Sequence, residues 1–109
     1  MKPLLITSGE PAGIGPDLCL LMAYQNHNVV VAGDRNVLLH RAKILNLDMT
    51  LEDYIPGNNK PSTALRIWHM PVPAPVIPGI LNDANARAVI SMLRQSCESC
   101  LNQQFSGLV

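Results

Sequence analysis

The amino-acid sequence predicts an α/β fold with three layers, α/β/α, built on a mainly parallel sheet. Residues 1–45 alternate short apolar segments with segments of helical periodicity, which is the pattern of strand–helix–strand units. Hydrophobic residues make up 48% of the 109 residues and charged residues only 15%, whereas roughly a quarter of a typical soluble domain is charged. This balance indicates a sheet whose two faces are both covered by protein.

Two apolar segments are predicted to be the first strands. Leu4–Thr7 ends at a turn rich in glycine and proline, and residues 28–33 include three consecutive valines. Valine runs without alternation are typical of strands that are buried on both faces. Parallel pairing through a right-handed crossover helix is therefore expected for these two strands.

The crossover helix is expected to begin at the glycine-rich turn. Gly15 suits the N-cap, Pro16 suits the first helical position, and Asp17 lies near the positive end of the helix dipole. Apolar residues then recur at spacings of three and four, which predicts one apolar face made of Leu18, Leu21 and Met22. Asp34 is predicted to cap a second helix, and an amphipathic pattern fits Val37, Leu38, Arg41, Leu45 and the basic pair Arg41/Lys43.

The middle of the chain carries weaker signals. Residues 49–55 and 64–70 alternate with period two and are predicted as strands, with Trp68 packing in the core or an interface. Residues 56–62 have the composition of a turn. Residues 71–79 contain four of the nine prolines, so they are predicted to form an extended connector that packs over the sheet.

The last third is predicted to be one long helix followed by a strand. The helix is expected over residues 82–103, capped by Asn82 or Asp83, with an apolar stripe of Ala86, Val89, Ile90, Leu93, Cys97 and Leu101. Residues 105–109 resemble the start of another buried strand. Because domains seldom end on an unfinished apolar strand, the chain is expected to be cut there.

The turn after the first strand, TSGEPAGIGPD, allows two interpretations. Its glycines, Gly9, Gly13 and Gly15, match neither the G-x-G-x-x-G dinucleotide fingerprint nor the P-loop, which requires a lysine. One interpretation is a tight strand-to-helix turn. The other is a backbone that approaches a ligand closely, ahead of a helix N-terminus that favours anions.

The segment GEPAGIGPD at residues 9–17 resembles the N-terminal signature of the 4-hydroxythreonine-4-phosphate dehydrogenases. Residues 79–81 and 97–109 also resemble segments of this family, but with weaker similarity. The motif is also similar to the shorter GDGIGPE turn of isocitrate and isopropylmalate dehydrogenases. The resemblance implies that residues 1–109 are the N-terminal portion of a larger two-domain enzyme with an isocitrate/isopropylmalate dehydrogenase-like fold.

The resemblance also implies an activity for the longer protein. Members of the family oxidise 4-phosphooxy-L-threonine with NAD and a divalent metal (Zn, Mg or Co), giving a 3-oxo acid that loses carbon dioxide, in pyridoxal 5'-phosphate biosynthesis. They are homodimers that bind a small phosphorylated amino acid. Their metal-binding histidines lie beyond residue 109. We therefore expect no catalytic residue, no metal ligand, no bound cofactor and no activity in residues 1–109 alone.

Three residues of the turn are candidates for a ligand site. Glu10, Gly13 and Gly15 are expected at the carboxyl end of a parallel strand, where such folds bind ligands. The hypothesis is that they line the cleft near the substrate or the nicotinamide. The alternative is that Glu10 only caps or orients the turn.

The remaining cysteines and histidines are expected to be structural. Cys97 and Cys100 have C-x-x-C spacing but lie late in a helix, where no positive dipole end lowers a thiol pKa. His27 and His40 lack partners at ligand spacing, and His69 ends a strand.

Charge and targeting signals restrict the class of protein. The formal net charge is zero, which gives no indication of nucleic-acid or membrane binding. No secretory segment or membrane span is recognised, so a cytoplasmic protein with reduced thiols is expected. Two alternatives remain: a dehydrogenase or decarboxylase of the same fold acting on another phosphorylated hydroxy acid, and a non-catalytic α/β binding module.

Overall fold

A parallel sheet forms the centre of the structure, a computed structural model that describes residues 2–25, 28–58 and 64–109. Within these ranges the sheet has five strands, in the order β3-β4-β2-β1-β5. The strands are β1 (Leu4–Thr7), β2 (Val29–Gly33), β3 (Leu51–Asp53), β4 (Leu65–His69) and β5 (Gly107–Leu108). The helices are α1 (Gly15–Gln25), α2 (Arg35–Ile44) and α3 (Ala86–Leu101).

Strand pairing is parallel throughout this sheet, as the sequence predicts. Leu5 pairs with Val30, Val31 pairs with Ile67, and Leu4 pairs with Gly107. One feature of the order was not predicted: β4 lies between β2 and β3, although it follows β3 in the chain. The three-layer α/β class is confirmed.

Two apolar layers cover the two faces of the sheet. One layer joins β1, β2 and β4 to α1 and α2 and includes Ile6, Leu20 and Leu38. The other joins the opposite face to α3 and includes Leu5 and Met92. All five residues of β2 are buried, as predicted for a strand covered on both sides.

The second helix is capped as the sequence predicts. The Asp34 carboxylate accepts hydrogen bonds from the backbone N–H groups of Asn36 (2.8 Å) and Val37 (3.2 Å). Leu38 and Arg41 are buried on the inner face of α2. The amphipathic prediction for α2 is therefore confirmed.

The buried face of α1 differs from the prediction. The residues facing the sheet are Pro16, Cys19, Leu20 and Ala23, whereas the predicted face of Leu18, Leu21 and Met22 is about half exposed. The helix is apolar on most sides, so periodicity alone does not select the face that packs. The helix also begins at Gly15 itself, one residue earlier than predicted.

The buried face of α3 was also predicted wrongly. Ile90 and Leu101 of the predicted stripe are 58% and 83% exposed, and the side chains that face the sheet are Met92, Ser96 and Ser99. Small serine side chains let the helix lie close to the strands. Although α1 and α3 both expose apolar side chains, no helix in the described ranges has the length and apolar character needed to span a membrane.

The start of α3 is a two-part structure. The side chain of Asn82 caps a short 3₁₀ turn, Asp83–Asn85, by accepting from the backbone N–H of Ala84 at 3.0 Å. The α-helix follows from Ala86 to Leu101. A helix in this region is thus confirmed, but the α-helix is shorter than the predicted 82–103, and Asn82 caps the 3₁₀ turn ahead of it.

The middle strands are shorter than predicted. β3 covers Leu51–Asp53 and β4 covers Leu65–His69. Residues 59–62 of the predicted turn, and His27, lie outside the described residues. Trp68 packs beside Tyr54 and Phe105, with ring centroids 6.4 Å and 5.8 Å away, so its predicted packing role is confirmed.

Candidate functional site

The carboxyl ends of the strands define one edge of the molecule, because every strand of the sheet runs in the same direction. The segment after β1, residues 8–14, is here called the glycine loop. The segment after β4, residues 71–81, is called the connector. Both lie at this carboxyl edge, which is where open α/β sheets bind ligands.

The glycine loop is a tight turn that closes on itself. Gly9 has a φ of +66°, a conformation that glycine adopts without strain. The backbone N–H of Gly13 donates to the Glu10 carbonyl at 3.0 Å, and the N–H of Ala12 donates to Glu10 Oε1 at 3.1 Å. Glu10 therefore shapes the turn through both its backbone and its side chain.

Close packing of the turn against β1 requires a glycine at position 15. A Cβ atom on Gly15 would lie 2.0 Å from the backbone oxygen of Ser8. Gly13 has room for a side-chain carbon, because a Cβ there would lie 3.4 Å from the Glu10 backbone oxygen. Gly15 thus has a packing role that is independent of any ligand.

A buried arginine from α2 holds the loop from behind. Arg41 is 3% exposed, and its guanidinium donates to the carbonyl oxygens of Gly13 and Pro11, each at 2.9 Å. It also lies 3.0 Å from Asp17 Oδ2 in the first turn of α1. The sequence predicted an amphipathic helix that includes Arg41, but not this contact.

The connector is fixed to the same edge by side chains. Val72 N–H donates to Asp34 Oδ2 at 2.9 Å, and Ala74 N–H donates to Asn85 Oδ1 at 2.9 Å. Gly79 N–H donates to the Ala12 carbonyl at 2.8 Å. Proline removes four backbone donors from the connector, and these three N–H groups bind acceptors in the neighbouring segments.

The acidic residue that follows β2 makes structural hydrogen bonds, at the place where dinucleotide folds have a ribose-binding carboxylate. There, an acidic residue near this position accepts from the ribose hydroxyls. Here, Asp34 accepts from three backbone N–H groups, two in α2 and one in the connector. Its carboxylate is committed to the structure.

The predicted site residues occupy two different environments. Glu10 and Gly13 are half-buried in the glycine loop, and Glu10 Oε2 makes no hydrogen bond within the described residues. Gly15 packs on the backbone of Ser8, directly after β1. The predicted role of these three residues near substrate or nicotinamide stays a prediction.

A second feature of the carboxyl edge was not predicted. A cleft of about 550 Å³ lies where β2, β3 and β4 end, within the roughly 300–1,000 Å³ typical of ligand pockets. It is lined by Arg35, Asn36, Asp53, Tyr54, Ile55, Pro56, Trp68 and His69. One sequence signal could have located the cleft, since all of its lining residues end a strand or follow one closely. The sequence did not predict the order of the strands, which makes these residues neighbours.

Comparison with known proteins identifies relatives over the whole chain. No protein-family model matches it. A 4-hydroxythreonine-4-phosphate dehydrogenase of Pseudomonas putida is 42% identical over 117 residues, which cover 100% of this chain and 36% of the relative. One of Vibrio parahaemolyticus is 37% identical over 114 residues, which cover 100% of this chain and 34% of the relative. Over its whole length the chain is similar to part of these 4-hydroxythreonine-4-phosphate dehydrogenases.

The chain spans about a third of the length of the curated dehydrogenases that it matches. The crystal structure of a 4-hydroxythreonine-4-phosphate dehydrogenase from Klebsiella pneumoniae superimposes with a TM-score of 0.84 at 20% identity, covering 99% of this chain and 36% of that one. A terephthalate 1,2-cis-dihydrodiol dehydrogenase from Burkholderia xenovorans superimposes with a TM-score of 0.78 at 21% identity, covering 98% and 32%. At these identities the two structures support the fold.

The metal that the dehydrogenase family implies does not fit the part of the chain described here. No group of three His, Cys, Asp or Glu side chains within the described ranges could hold a metal ion. His40 is exposed on α2, and His69 Nδ1 accepts a hydrogen bond from the backbone N–H of Arg35 at 3.0 Å. A complete metal site would need ligands from other residues.

The cysteine environments predict an order of reactivity. Burial raises the pKa of the Cys100 thiol, and the neighbouring Cys97 raises it further. Burial raises the pKa of Cys19 to about 11, and its thiol donates to the Thr7 carbonyl at 3.5 Å. Cys97 is exposed.

At pH 8 we expect iodoacetamide to modify Cys97 first, Cys100 more slowly and Cys19 last, because the thiolate is the reactive form. Peptide mass spectrometry over a time course measures the three rates in the folded protein. In denaturant the three rates should converge. Modification of Cys19 or Cys100 as fast as Cys97 in the folded state would show that the environments described here are incorrect.

Proposed function

We propose that the full-length protein oxidises 4-phosphooxy-L-threonine with NAD. In this reaction the hydroxyl-bearing carbon gives a hydride to NAD and the hydroxyl gives up a proton. The resulting 3-oxo acid then releases carbon dioxide, as a step in pyridoxal 5'-phosphate biosynthesis. The observation that carries this proposal is 37–42% identity to curated 4-hydroxythreonine-4-phosphate dehydrogenases over the whole of this chain.

The geometry of the glycine loop supports a ligand-facing role within that activity. The loop lies at the carboxyl edge of the sheet, and Arg41 fixes its backbone from the buried side through the Pro11 and Gly13 carbonyls. A loop held in one conformation before its ligand arrives loses less entropy on binding. Glu10 contributes a carboxylate with one oxygen free of hydrogen bonds to the described residues.

NAD supplies the hydride acceptor when it is bound. The residues described here do not complete a metal site, so the ligands of any divalent metal are assigned to the rest of the longer protein. The same holds for most of the substrate site, and residues 1–109 alone are proposed to be inactive. The full-length enzyme is proposed to be a cytoplasmic homodimer.

The direct test is NADH production by the full-length protein. Absorbance at 340 nm should rise when 4-phosphooxy-L-threonine, NAD and a divalent metal are present, and carbon dioxide release should follow. Omission of either substrate or NAD should abolish the signal. Full-length protein that is folded and metal-loaded but produces no NADH would rule out the proposal.

The substitution Glu10→Gln separates the two roles considered for Glu10. Glutamine keeps Oε1 as an acceptor for the Ala12 N–H, so the turn is preserved, but the negative charge is removed. We expect kcat/KM of the full-length enzyme to fall at least about tenfold, which corresponds to about 1.4 kcal/mol, with little change in melting temperature.

The matched control is Glu98→Gln, an exposed glutamate on α3, which should leave kcat/KM and stability unchanged. If Glu10→Gln also leaves kcat and both KM values unchanged, Glu10 only orients the turn. A large fall in melting temperature would likewise assign Glu10 to the structure rather than to the ligand site.

A second candidate is a dehydrogenase or decarboxylase of this fold that acts on a different hydroxy acid. It is favoured by the similarity of the fold to a terephthalate 1,2-cis-dihydrodiol dehydrogenase, since one fold supports several substrates. Comparison of kcat/KM for 4-phosphooxy-L-threonine with that for other phosphorylated hydroxy acids distinguishes the two. A larger kcat/KM for 4-phosphooxy-L-threonine supports the first candidate, and a larger value for another phosphorylated hydroxy acid supports the second.

A further inference from the structure

A backbone hydrogen bond joins the connector to the glycine loop. Gly79 N–H donates to the Ala12 carbonyl at 2.8 Å. Ala12 is 5% exposed, and its own N–H donates to Glu10 Oε1 at 3.1 Å. Ala12 therefore lies between the connector and the Glu10 carboxylate, and a displacement of Gly79 changes the position of the donor that holds Glu10.

The connector holds a part of the glycine loop that Arg41 does not hold. The guanidinium donates to the carbonyl oxygens of Pro11 and Gly13, the residues on either side of Ala12. The Ala12 carbonyl between them accepts from Gly79 instead. Three consecutive carbonyls of the loop thus have donors from outside it, two in α2 and one in the connector. The orientation of Ala12 depends on the connector donor.

A tight turn directs the Gly79 N–H at the glycine loop. Ile80 N–H donates to the Ile77 carbonyl at 3.0 Å, and Gly79 has a φ of +84°. Pro78 followed by glycine at positive φ is the pattern of a type II turn. Glycine adopts this φ without strain and other residues do not, so the direction of the N–H depends on a glycine at position 79.

The connector is anchored before it reaches this turn. Asn85 is 2% exposed and lies at the N-cap of α3, but its side chain makes no capping hydrogen bond. It accepts from the Ala74 N–H at 2.9 Å and donates to the Ala74 carbonyl at 3.3 Å. Two of the four residues between Ala74 and Gly79 are prolines, whose rings fix φ. A stiff, anchored segment therefore carries the turn.

We propose that Gly79 is a positioning residue for the Glu10 carboxylate. Its N–H fixes Ala12, and Ala12 fixes Glu10 in the orientation that a ligand at the carboxyl edge meets. The effect of Gly79 on the reaction rests on the proposed function, in which Glu10 faces the ligand. The mechanical link itself rests on the hydrogen bonds of the loop and the connector.

The substitution Gly79→Ala in the full-length protein tests this role. A Cβ at position 79 would meet no atom within 4 Å, so the change acts through the backbone φ and not through a clash. We expect kcat/KM for 4-phosphooxy-L-threonine to fall about two- to tenfold, as loss of one neutral hydrogen bond implies. In the Glu10→Gln background the fall should be less than about twofold, because the effects of residues that act through one another do not add.

The chain contains a matched control in a second turn with the same I-P-G sequence. Asn58 N–H donates to the Ile55 carbonyl at 3.0 Å, and Gly57 has a φ of +92° with no atom within 4 Å of an added Cβ. Gly57→Ala therefore introduces the same backbone strain away from the glycine loop. It should lower the melting temperature about as much as Gly79→Ala does.

Hydrogen–deuterium exchange measures the mechanical link without turnover. The Ala12 amide should exchange faster in Gly79→Ala than in the wild type, and Gly57→Ala should leave its exchange unchanged. Equally fast exchange in both glycine variants would overturn the proposal. So would an equal fall in kcat/KM caused by Gly79→Ala with and without Glu10→Gln, since Gly79 would then not act through Glu10.

Failure of this proposal is distinguishable from failure of the proposed function. If the wild type produces NADH while Gly79→Ala changes neither kcat/KM nor exchange at Ala12, the dehydrogenase activity stands and the positioning role fails. If the wild type produces no NADH but Gly79→Ala speeds exchange at Ala12, the dehydrogenase proposal fails and the link from the connector to the glycine loop stands.

Discussion

Replacement of Gly15 by alanine is expected to destabilise the folded protein by more than about 3 kcal/mol, beyond the range usual for overpacking. The new Cβ would lie 2.0 Å from the Ser8 carbonyl oxygen and 3.1 Å from its carbon. Both are backbone atoms of the segment leaving β1, so no side-chain rotation relieves the contact. Either the start of α1 or the end of β1 must move, and both are packed in the core.

Urea unfolding monitored by circular dichroism measures this loss. The control in the same loop is Gly13→Ala, whose Cβ would lie 3.4 Å from the Glu10 oxygen, an ordinary contact. It should cost less than about 1 kcal/mol. Equal stability of the Gly15→Ala variant and the wild type would mean that α1 does not begin against β1 as described.

Replacement of Arg41 by methionine is expected to cost about 2–5 kcal/mol, because two buried carbonyl groups lose their donor at about 1–3 kcal/mol each. Methionine keeps the apolar stem but leaves the Pro11 and Gly13 carbonyls without their donor. Asp17 contributes less to this loss, because its side chain is 29% exposed and can be hydrated.

The same unfolding measurement applies, with Arg94→Met, an exposed site on α3, as a control that should change stability by less than about 0.5 kcal/mol. A double-mutant cycle with Asp17→Asn isolates the ion pair from the two carbonyl contacts. A loss below 1 kcal/mol for Arg41→Met, on the order of an exposed salt bridge, would contradict the buried contacts of the guanidinium with the glycine loop.

The two substitutions also bear on the proposed function. The glycine loop packs closely against the start of α1, where Gly15 meets the Ser8 backbone, and Arg41 holds it through the Gly13 carbonyl. If the loop positions Glu10 for a ligand, Arg41→Lys should loosen the loop and lower kcat/KM of the full-length enzyme. The melting temperature should fall only slightly. Because lysine is a point charge, it cannot reach both carbonyls in the geometry of the guanidinium fork.

Local sequence signals were sufficient to predict the strands and helices themselves. Valine runs predicted the buried strand β2, and Asp34 was predicted to cap α2 because aspartate accepts from the free N–H groups of a first turn. The short segment at residues 105–109 was expected to be a strand, and β5 pairs with β1 there. Glu10, Gly13 and Gly15 were placed at the carboxyl edge for the same reason: a strand precedes them and a helix follows.

Which faces of the helices pack was decided by the tertiary structure. Leu18 of α1 and Leu93 of α3 are apolar but exposed, while Ser96 of α3 is fully buried. Periodicity identifies a buried face only when the other faces are polar, and α1 does not meet that condition. In α3, two serine side chains are buried while large apolar side chains are exposed, so hydrophobicity alone does not identify the buried face.

By itself, the sequence determined the type and order of the elements, the parallel sheet and the resemblance at residues 9–17, since these depend on neighbours within a few residues or on a short motif. Only the tertiary structure decided that β4 lies beside β2, that Arg41 reaches Gly13, and that Trp68 and Asn36 line one cleft. These contacts join residues that are 28 or more positions apart. No local periodicity encodes them, because they arise from how the sheet orders its strands.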